Sequence, residues 1–338
     1  MATKLPASGE QIEHANQFPW KAKMAGDRFQ NLCTDFVPGW REVLRWKLGF
    51  GPSENIPKSV PDPFRLQPSP LNLDVIYAPN PTKIVATWLG HSTFLLQIGG
   101  RAYLTDPIFS NYCSPIPVPN FRRSVLNDVS VENLPTIDAV LLSHNHFDHL
   151  DRPSLRAVGH RSKIFCPSGL RECLRRWGFT TVTELSWGDC VNDGEVRITA
   201  VPTQHGSART PFDRNRTLWC GWLIEYRDMK ALFLGDTGYA PFFREFADYF
   251  GPIDLAMIPI GAYRPAWFMR PLHLSPEEAV LVHRELRARR SIAMHWGTFR
   301  LSDEPLDEPP RLLRESLALH NIPEVEFQIS QLNATIDV

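Results

Sequence analysis

The spacing of apolar residues changes abruptly near residue 83. Residues 1–80 lack clean periodicity and hold one stretch that reads as an amphipathic helix, around Gly39 to Leu48, followed by a proline-rich run. From Lys83 onward, KIVATWL, TFLLQIG and AYLTD are short β-rich runs separated by Gly90-His91 and Gly99-Gly100. That pattern predicts antiparallel strands joined by tight turns. Beyond it the chain alternates. Strands are predicted over 137–142, 163–166, 196–201, 218–226, 231–234, 254–258 and 292–294. Helices are predicted from about Pro153, over 168–177, from Ser275 to about Arg289, and over 311–320. The start at Ser275 is strongly marked, with a capping hydroxyl, Pro276 next, and Glu277 and Glu278 in the first turn. Arg287, Arg289 and Arg290 stand at the opposite, negative end. No internal repeat has a fixed period. Strands followed by helices, twice over, predict sheets in the middle with helices outside.

At 338 residues the chain can bury a large core. Its 36 basic and 37 acidic residues leave a net charge of −1, which gives no field to draw nucleic acid. The 30 prolines exceed the usual ~5%. Many fall in 57–81 and 107–119, which therefore read as irregular and extended. The six cysteines (Cys33, Cys113, Cys166, Cys173, Cys190 and Cys220) form no C-x-x-C pair and match no disulfide framework. The first residues, MATKLPASGEQIEH, lack the apolar core of a secretory signal. No run of ~18 apolar residues is present to span a membrane. The expectation is a cytoplasmic protein with free thiols that is not secreted.

Between Ser143 and Leu150, three imidazoles and a carboxylate crowd into six positions: His144, His146, Asp148 and His149. They directly follow a predicted strand. Nitrogen and carboxylate donors without thiolate suit zinc, with iron or manganese as further candidates. Two ions need more donors than this cluster supplies. His205 in TQHGS, Asp236 in FLGDTGY and His295 in AMHWGTF each follow an apolar run, which puts them on the same sheet edge. A single histidine after a strand is usually a hydrogen-bonded structural residue, and an Asp in G-D-T-G is usually a turn residue. The cluster shifts both expectations toward metal. His14, His160, His283 and His320 read as surface or helix-face residues without a role. His91, in W-L-G-H-S-T, reads as structural, with the floor of the site as the alternative. Asp106, ending LTD, either caps a turn or orients a ligating imidazole.

The H-x-H-x-D-H pattern, with the later His, Asp and His, resembles the metallo-β-lactamase superfamily. That resemblance implies an α+β fold, the αββα four-layer sandwich, with two metals at one edge of the paired sheets. WLGHSTFLL, LTDPIFS, DAVLLSHNHFDHLD, FLGDTGY, IPIGAYRPAWFM and AMHWGTF, spread over roughly residues 60–320, look like the N-acyl-phosphatidylethanolamine-hydrolysing phospholipase D family. The domain organisation then expected is an extension over 1–80, partly irregular and packed on a hydrolase domain over 81–338.

By position, the resemblance implies that His144, His146 and His205 hold one zinc and that Asp148, His149 and His295 hold the other. It implies that Asp236 bridges both, that His273 in PLHLSPEE meets the substrate, and that Asp106 stands behind the ligands. Phe147 departs from the pattern, because the mammalian phospholipases carry Tyr there. The activity implied is zinc-dependent hydrolysis of a phosphodiester to N-acylethanolamine and phosphatidic acid, with a metal-activated hydroxide as nucleophile and Asp148 and His273 as catalytic residues. The expected partners are a phospholipid and a peripheral membrane surface, with a homodimer left open and no nucleic acid. Trp40, Trp46 and Phe50, among Arg41, Arg45 and Lys47, and the run Trp267-Phe268-Met269-Arg270 are candidates to face lipid; core packing is the alternative. The second enzyme reading is a soluble lactonase or phosphoesterase of the ascorbate-phosphate lactonase type.

Overall fold

A computed structural model describes residues 11–14, 17–36, 38–52, 54 and 66–338. The part of the proline-rich run over 57–65 and the side chain of Trp40 lie outside the described residues. The first elements are a small hairpin, β1 (Lys23–Ala25) and β2 (Arg28–Gln30), then α1 (Trp40–Lys47) and α2 (Leu73–Tyr77). Next come β3 (Val85–Gly90), β4 (Thr93–Ile98), β5 (Arg101–Thr105), β6 (Ala139–Leu141), α3 (Arg152–Val158), β7 (Lys163–Pro167), α4 (Arg171–Arg176) and β8 (Val182–Leu185). The second half holds β9 (Cys190–Asp193), β10 (Val196–Val201), β11 (Gly221–Tyr226), β12 (Met229–Phe233), α5 (Phe243–Phe250), β13 (Leu255–Pro259), α6 (Ala266–Met269), α7 (Pro276–Glu285), β14 (Arg290–Met294), α8 (Glu308–Leu319), β15 (Phe327–Gln328) and β16 (Thr335–Asp337).

These strands form two seven-stranded sheets, ordered β16-β3-β4-β5-β6-β7-β8 and β15-β14-β13-β12-β11-β10-β9. Each has an antiparallel part and a parallel part: β5 through β8 run parallel in the first, and β12 through β15 in the second. One apolar cluster joins the inner faces, with Trp88, Phe94 and Tyr103 from the first sheet meeting Trp222, Phe233 and Ile258 from the second. A second cluster packs α3 and α4 on the outer face of the first sheet, through Leu155 and Leu174 against Val140, Leu142 and Ile164. On the second sheet, α7 packs against β13 and against α5 and α8. The result is the αββα sandwich. β3, β4 and β13 are buried at every position because both faces are covered, which is why their sequences read as apolar runs rather than alternations. Trp88, Trp219 and Trp222 are fully buried, and truncating any one to Ala costs on the order of 3–5 kcal/mol.

Local signals account for most boundaries. α7 starts where expected, with Ser275 accepting a hydrogen bond from the Glu278 amide and Glu278 reaching back to the Ser275 amide. The helix expected over 168–177 is shorter, Arg171–Arg176. The hairpin β1–β2, α2 and the short strands β8, β9, β15 and β16 carry too few residues to show a period, and the sequence reading missed them.

Parallel strands point their carboxyl ends the same way, so each crossover returns the chain to one edge. Asp106 follows β5, His144 to His149 follow β6, Asp236 follows β12 and His295 follows β14. Two glycines admit this convergence. A Cβ on Gly235, which has φ +59°, would lie 2.6 Å from the Ser143 side chain. One on Gly261 would lie 2.1 Å from the carbonyl oxygen of His295.

Candidate metal centre

All seven sequence-predicted donors meet at this edge, in two sets. In the first, His144 Nε2 and His146 Nδ1 lie 2.8 Å apart, and His205 Nε2 lies 3.1 Å from the same His146 nitrogen. In the second, Asp148 Oδ2 lies 3.3 Å from His149 Nε2 and 3.4 Å from His295 Nε2. Asp236 Oδ2 stands between the sets. It is 3.1 Å from His295 Nε2, 3.3 Å from His149 Nε2 and 3.7 Å from His205 Nε2. Among the described residues, four groups drawn from these donors together with His91, Asp106 and His273 have ligand atoms that all lie within 4.8 Å of one another.

The buried polar atoms indicate what the edge is built for. His149 Nε2, His295 Nε2 and Asp236 Oδ1 are buried without a hydrogen-bond partner among the described residues. Leaving such atoms unsatisfied costs about 1–3 kcal/mol each. A divalent cation would satisfy several at once, and the donor set of imidazoles and carboxylates fits one of borderline hardness.

Charge is balanced within the cluster. Burial pushes His144 well below the usual imidazole range, with neighbouring imidazoles adding to it, and takes His146 down to about 3. His205 is lowered in the same way. Burial opposes protonation of His149 and His295 too, but Asp236 and Asp148 outweigh it, carrying His149 well up and His295 to about 9. In return, His149 holds both carboxylates well below their ordinary value against the push of burial. Two carboxylates thus hold positive charge between them, where a cation would sit.

A layer of further contacts aims the donors. Asp106 is buried; its Oδ1 accepts the Ser143 amide at 2.7 Å and its Oδ2 lies 2.7 Å from His149 Nδ1. Ser143 Oγ donates to Asp106 and stands 2.9 Å from His144 Nδ1. One carboxylate therefore orients a donor of each set. Of the two sequence alternatives for Asp106, orienting an imidazole is the one observed. His205 Nδ1 faces the Leu272 carbonyl at 3.0 Å. His273 stands at the rim, with Nδ1 3.8 Å from Asp236 Oδ2, and burial pushes it well below its ordinary value.

Three pairs of alternatives left by the sequence are decided between. His91 is part of the site: it is buried, and its Nε2 lies 2.9 Å from Asp148 Oδ2. It follows β3 just as His295 follows β14, so the strand-end signal used for the remote donors applied to it equally. Of the two alternatives for His283, helix face holds and surface does not: it lies on the buried face of α7, against Phe327, with Nδ1 2.8 Å from Ser291 Oγ. Trp46 does not point outward alone, since its Nε1 donates to Asp303 and its ring stacks on Phe268. Phe50 is exposed, as are Leu44 and Leu48.

His91, Asp106 and His295 all have positive φ, at 52°, 32° and 59°. For non-glycine residues this costs roughly 1–2 kcal/mol each, strain that packing elsewhere must hold. Phe147 is stacked under Arg209, whose guanidinium lies 3.9 Å from the ring centre and donates to the Asn145 and Leu150 carbonyls. A small cavity of about 80 Å³ opens beside the donors, lined by Phe36, Pro38, His146, His205, Arg214 and Leu272. A larger one of about 340 Å³ lies between α7 and α8 and contains none of the donors.

Comparison with known proteins agrees with this geometry. Residues 101–296, which include all seven donors, match the beta-lactamase superfamily domain. An uncharacterized protein of Mycobacterium tuberculosis is 40% identical over 249 residues, covering 72% of this chain and 66% of that protein, just under two thirds of its length. N-acyl-phosphatidylethanolamine-hydrolyzing phospholipase D 1 of Caenorhabditis elegans is 37% identical over 254 residues, covering 69% of this chain and 71% of the relative. Among solved structures, isothiocyanate hydrolase from Delia radicum gut bacteria aligns with a TM-score of 0.62 at 22% identity, over 75% of this chain and 98% of that one, a likeness of fold alone.

Proposed function

We propose that this chain, which belongs to the metallo-β-lactamase superfamily and is a hydrolase of that fold, is a zinc-dependent phosphodiesterase of the phospholipase D type. Its substrate on this reading is N-acyl-phosphatidylethanolamine, and its products are N-acylethanolamine and phosphatidic acid. The observation that carries the reading is the donor set: two groups of three with Asp236 between them, in a chain 37% identical to an enzyme named for that substrate.

His144, His146 and His205 would hold one ion and Asp148, His149 and His295 the other, with Asp236 reaching both. A bound pair of divalent ions supplies Lewis acidity toward phosphoryl oxygens and lowers the pKa of water toward ~7. The chain's own residues do the rest. Asp106 and Ser143 fix the imidazoles of His149 and His144. As the oxygen of a water molecule forms the new bond to phosphorus, Asp148 would take the proton that water gives up and pass it to the departing alkoxide, whose phosphorus–oxygen bond breaks to release a neutral alcohol. His273, held neutral by burial, offers a ring nitrogen at the rim to orient the headgroup.

A lipid substrate also needs a surface that meets lipid. On this reading α1 would meet lipid; Leu44 and the C-cap Leu48 are exposed on it and Phe50 just beyond it, beside Arg45 and Lys47, a mixture that interfacial helices use. No helix among the described residues is long and apolar enough to cross a membrane.

The deciding experiment combines metal analysis of the purified protein with hydrolysis of three substrates: vesicles of N-acyl-phosphatidylethanolamine, vesicles of phosphatidylcholine, and a phosphorylated lactone. Two zinc ions per chain and turnover of the first alone are expected. Turnover of the lactone alone assigns the chain to the lactonase class instead.

A further inference from the structure

We propose that Asn31 is a positioning residue for the donor His205, so that the segment after the β1–β2 hairpin is a working part of the metal centre. The Asn31 side chain makes a two-way contact with the His205 backbone. Its Nδ2 donates to the His205 carbonyl at 2.7 Å, and its Oδ1 accepts the His205 amide at 3.0 Å. A side-chain amide here takes the place of a neighbouring strand. It meets both hydrogen-bonding groups of a residue that lies in a loop four residues beyond the end of β10.

His205 needs such an anchor. Its ring is aimed by the Leu272 carbonyl at 3.0 Å, but no strand partner holds its backbone once β10 has ended. The other donors of the first set, His144 and His146, are held within the tight turn after β6, where the His146 carbonyl accepts the amides of His149 and Leu150. Asn31 supplies the corresponding hold for the third donor from 174 positions away in the chain.

The segment that carries Asn31 is itself tethered to the loop after His205. The Phe29 amide donates to the Asn215 carbonyl at 2.7 Å, Asp27 pairs with Arg216 at 2.9 Å, and Arg28 donates to the Arg214 carbonyl. Farther along, Phe36 and Pro38 wall the small cavity that His146 and His205 also line. The segment therefore holds the backbone of one donor and shapes the space in front of two.

The inference rests on the metal reading of His144, His146 and His205 but not on the identity of the substrate. Its test is metal binding. Metal-free protein is titrated with Zn²⁺ against a chromogenic chelator, and its fold is checked by near-ultraviolet circular dichroism. The unsubstituted chain is expected to take two ions. Asn31→Ala should keep the native dichroism and weaken one of the two by roughly 10-fold or more, the usual effect of removing a group that orients a ligand. Asp27→Ala, which cuts a tether of the same segment without touching His205, should leave both affinities within about twofold.

Equal affinities in Asn31→Ala and the unsubstituted chain would overturn the proposal. Equal losses in Asn31→Ala and Asp27→Ala would overturn it too, because the effect would then belong to docking of the segment as a whole. If the unsubstituted chain bound no Zn²⁺, the metal reading would fail first, and the two failures are thereby separated.

Discussion

His91 Nε2 lies 2.9 Å from Asp148 Oδ2, the oxygen that also faces His149 and His295. The ring of His91 is packed between His295, with centres 4.2 Å apart, and Phe299, 5.2 Å away. Its position therefore combines a packing role with a polar one. His91→Phe keeps the ring and removes the nitrogen. Affinity for metal on the Asp148, His149 and His295 side should fall roughly 10- to 100-fold, measured by chelator competition. An unchanged affinity would reduce His91 to packing.

Asp106 serves both sets of donors, directly through His149 and by way of Ser143 through His144. Ser143→Ala should weaken the His144 side alone, by about 10-fold. Asp106→Ala should weaken both sides and cost more than Ser143→Ala. Because the two residues act in one network, the double variant should resemble Asp106→Ala rather than the sum of the singles. Titrating metal into the three proteins checks this, and strict additivity would show that Ser143 reaches His144 independently of Asp106.

Much of this site could be read from the chain because its donors sit directly after apolar runs. β6 announces His144 to His149, β12 announces Asp236 and β14 announces His295, and parallel sheets turn that shared placement into spatial convergence. The periodic elements were legible for the same reason: strands buried on both faces leave unbroken apolar runs. What the chain hid has a common physical cause, dependence on partners far away in sequence. Asn31 gives no local sign that its amide will meet His205, because neither residue constrains the other until both sheets have formed. β15 and β16 are only 2 and 3 residues long and exist by pairing with β14 and β3. The burial of His283 could not be chosen over exposure, because its partners, Ser291 and Phe327, lie on strands reached only after α7 packs.

Phe147 stands where the resemblance described above implies Tyr, and its ring is engaged by Arg209 rather than by a donor. A guanidinium stacked on an aromatic face is worth about 0.5–2 kcal/mol depending on desolvation. Phe147→Tyr retains that face and should leave stability and metal content unchanged. Phe147→Leu loses it and should lower unfolding free energy by about 1 kcal/mol, read from denaturant midpoints at constant slope. A gain of turnover in Phe147→Tyr would show that the hydroxyl has a chemical role which this chain forgoes.

His283 gives the chain a stability term that depends on pH and is independent of metal. Burial takes its imidazole from about 6.5 down to about 4, so the folded protein keeps it neutral where an unfolded chain would protonate it. The folded pKa is the lower one. The contribution of His283 is therefore intact above pH 6.5, declines as pH falls toward 4, and falls no further below that. The span corresponds to on the order of 3 kcal/mol. His283→Gln keeps a hydrogen-bonding group near Ser291 but cannot titrate. Denaturant unfolding of both proteins at pH 7 and pH 4 should show a smaller loss on acidification for the variant, by up to that amount. The carboxylates and other histidines titrate equally in the two proteins and cancel in the difference. Equal losses would mean that protonated His283 is accommodated in the fold, against the enclosure that Phe327 and β14 provide.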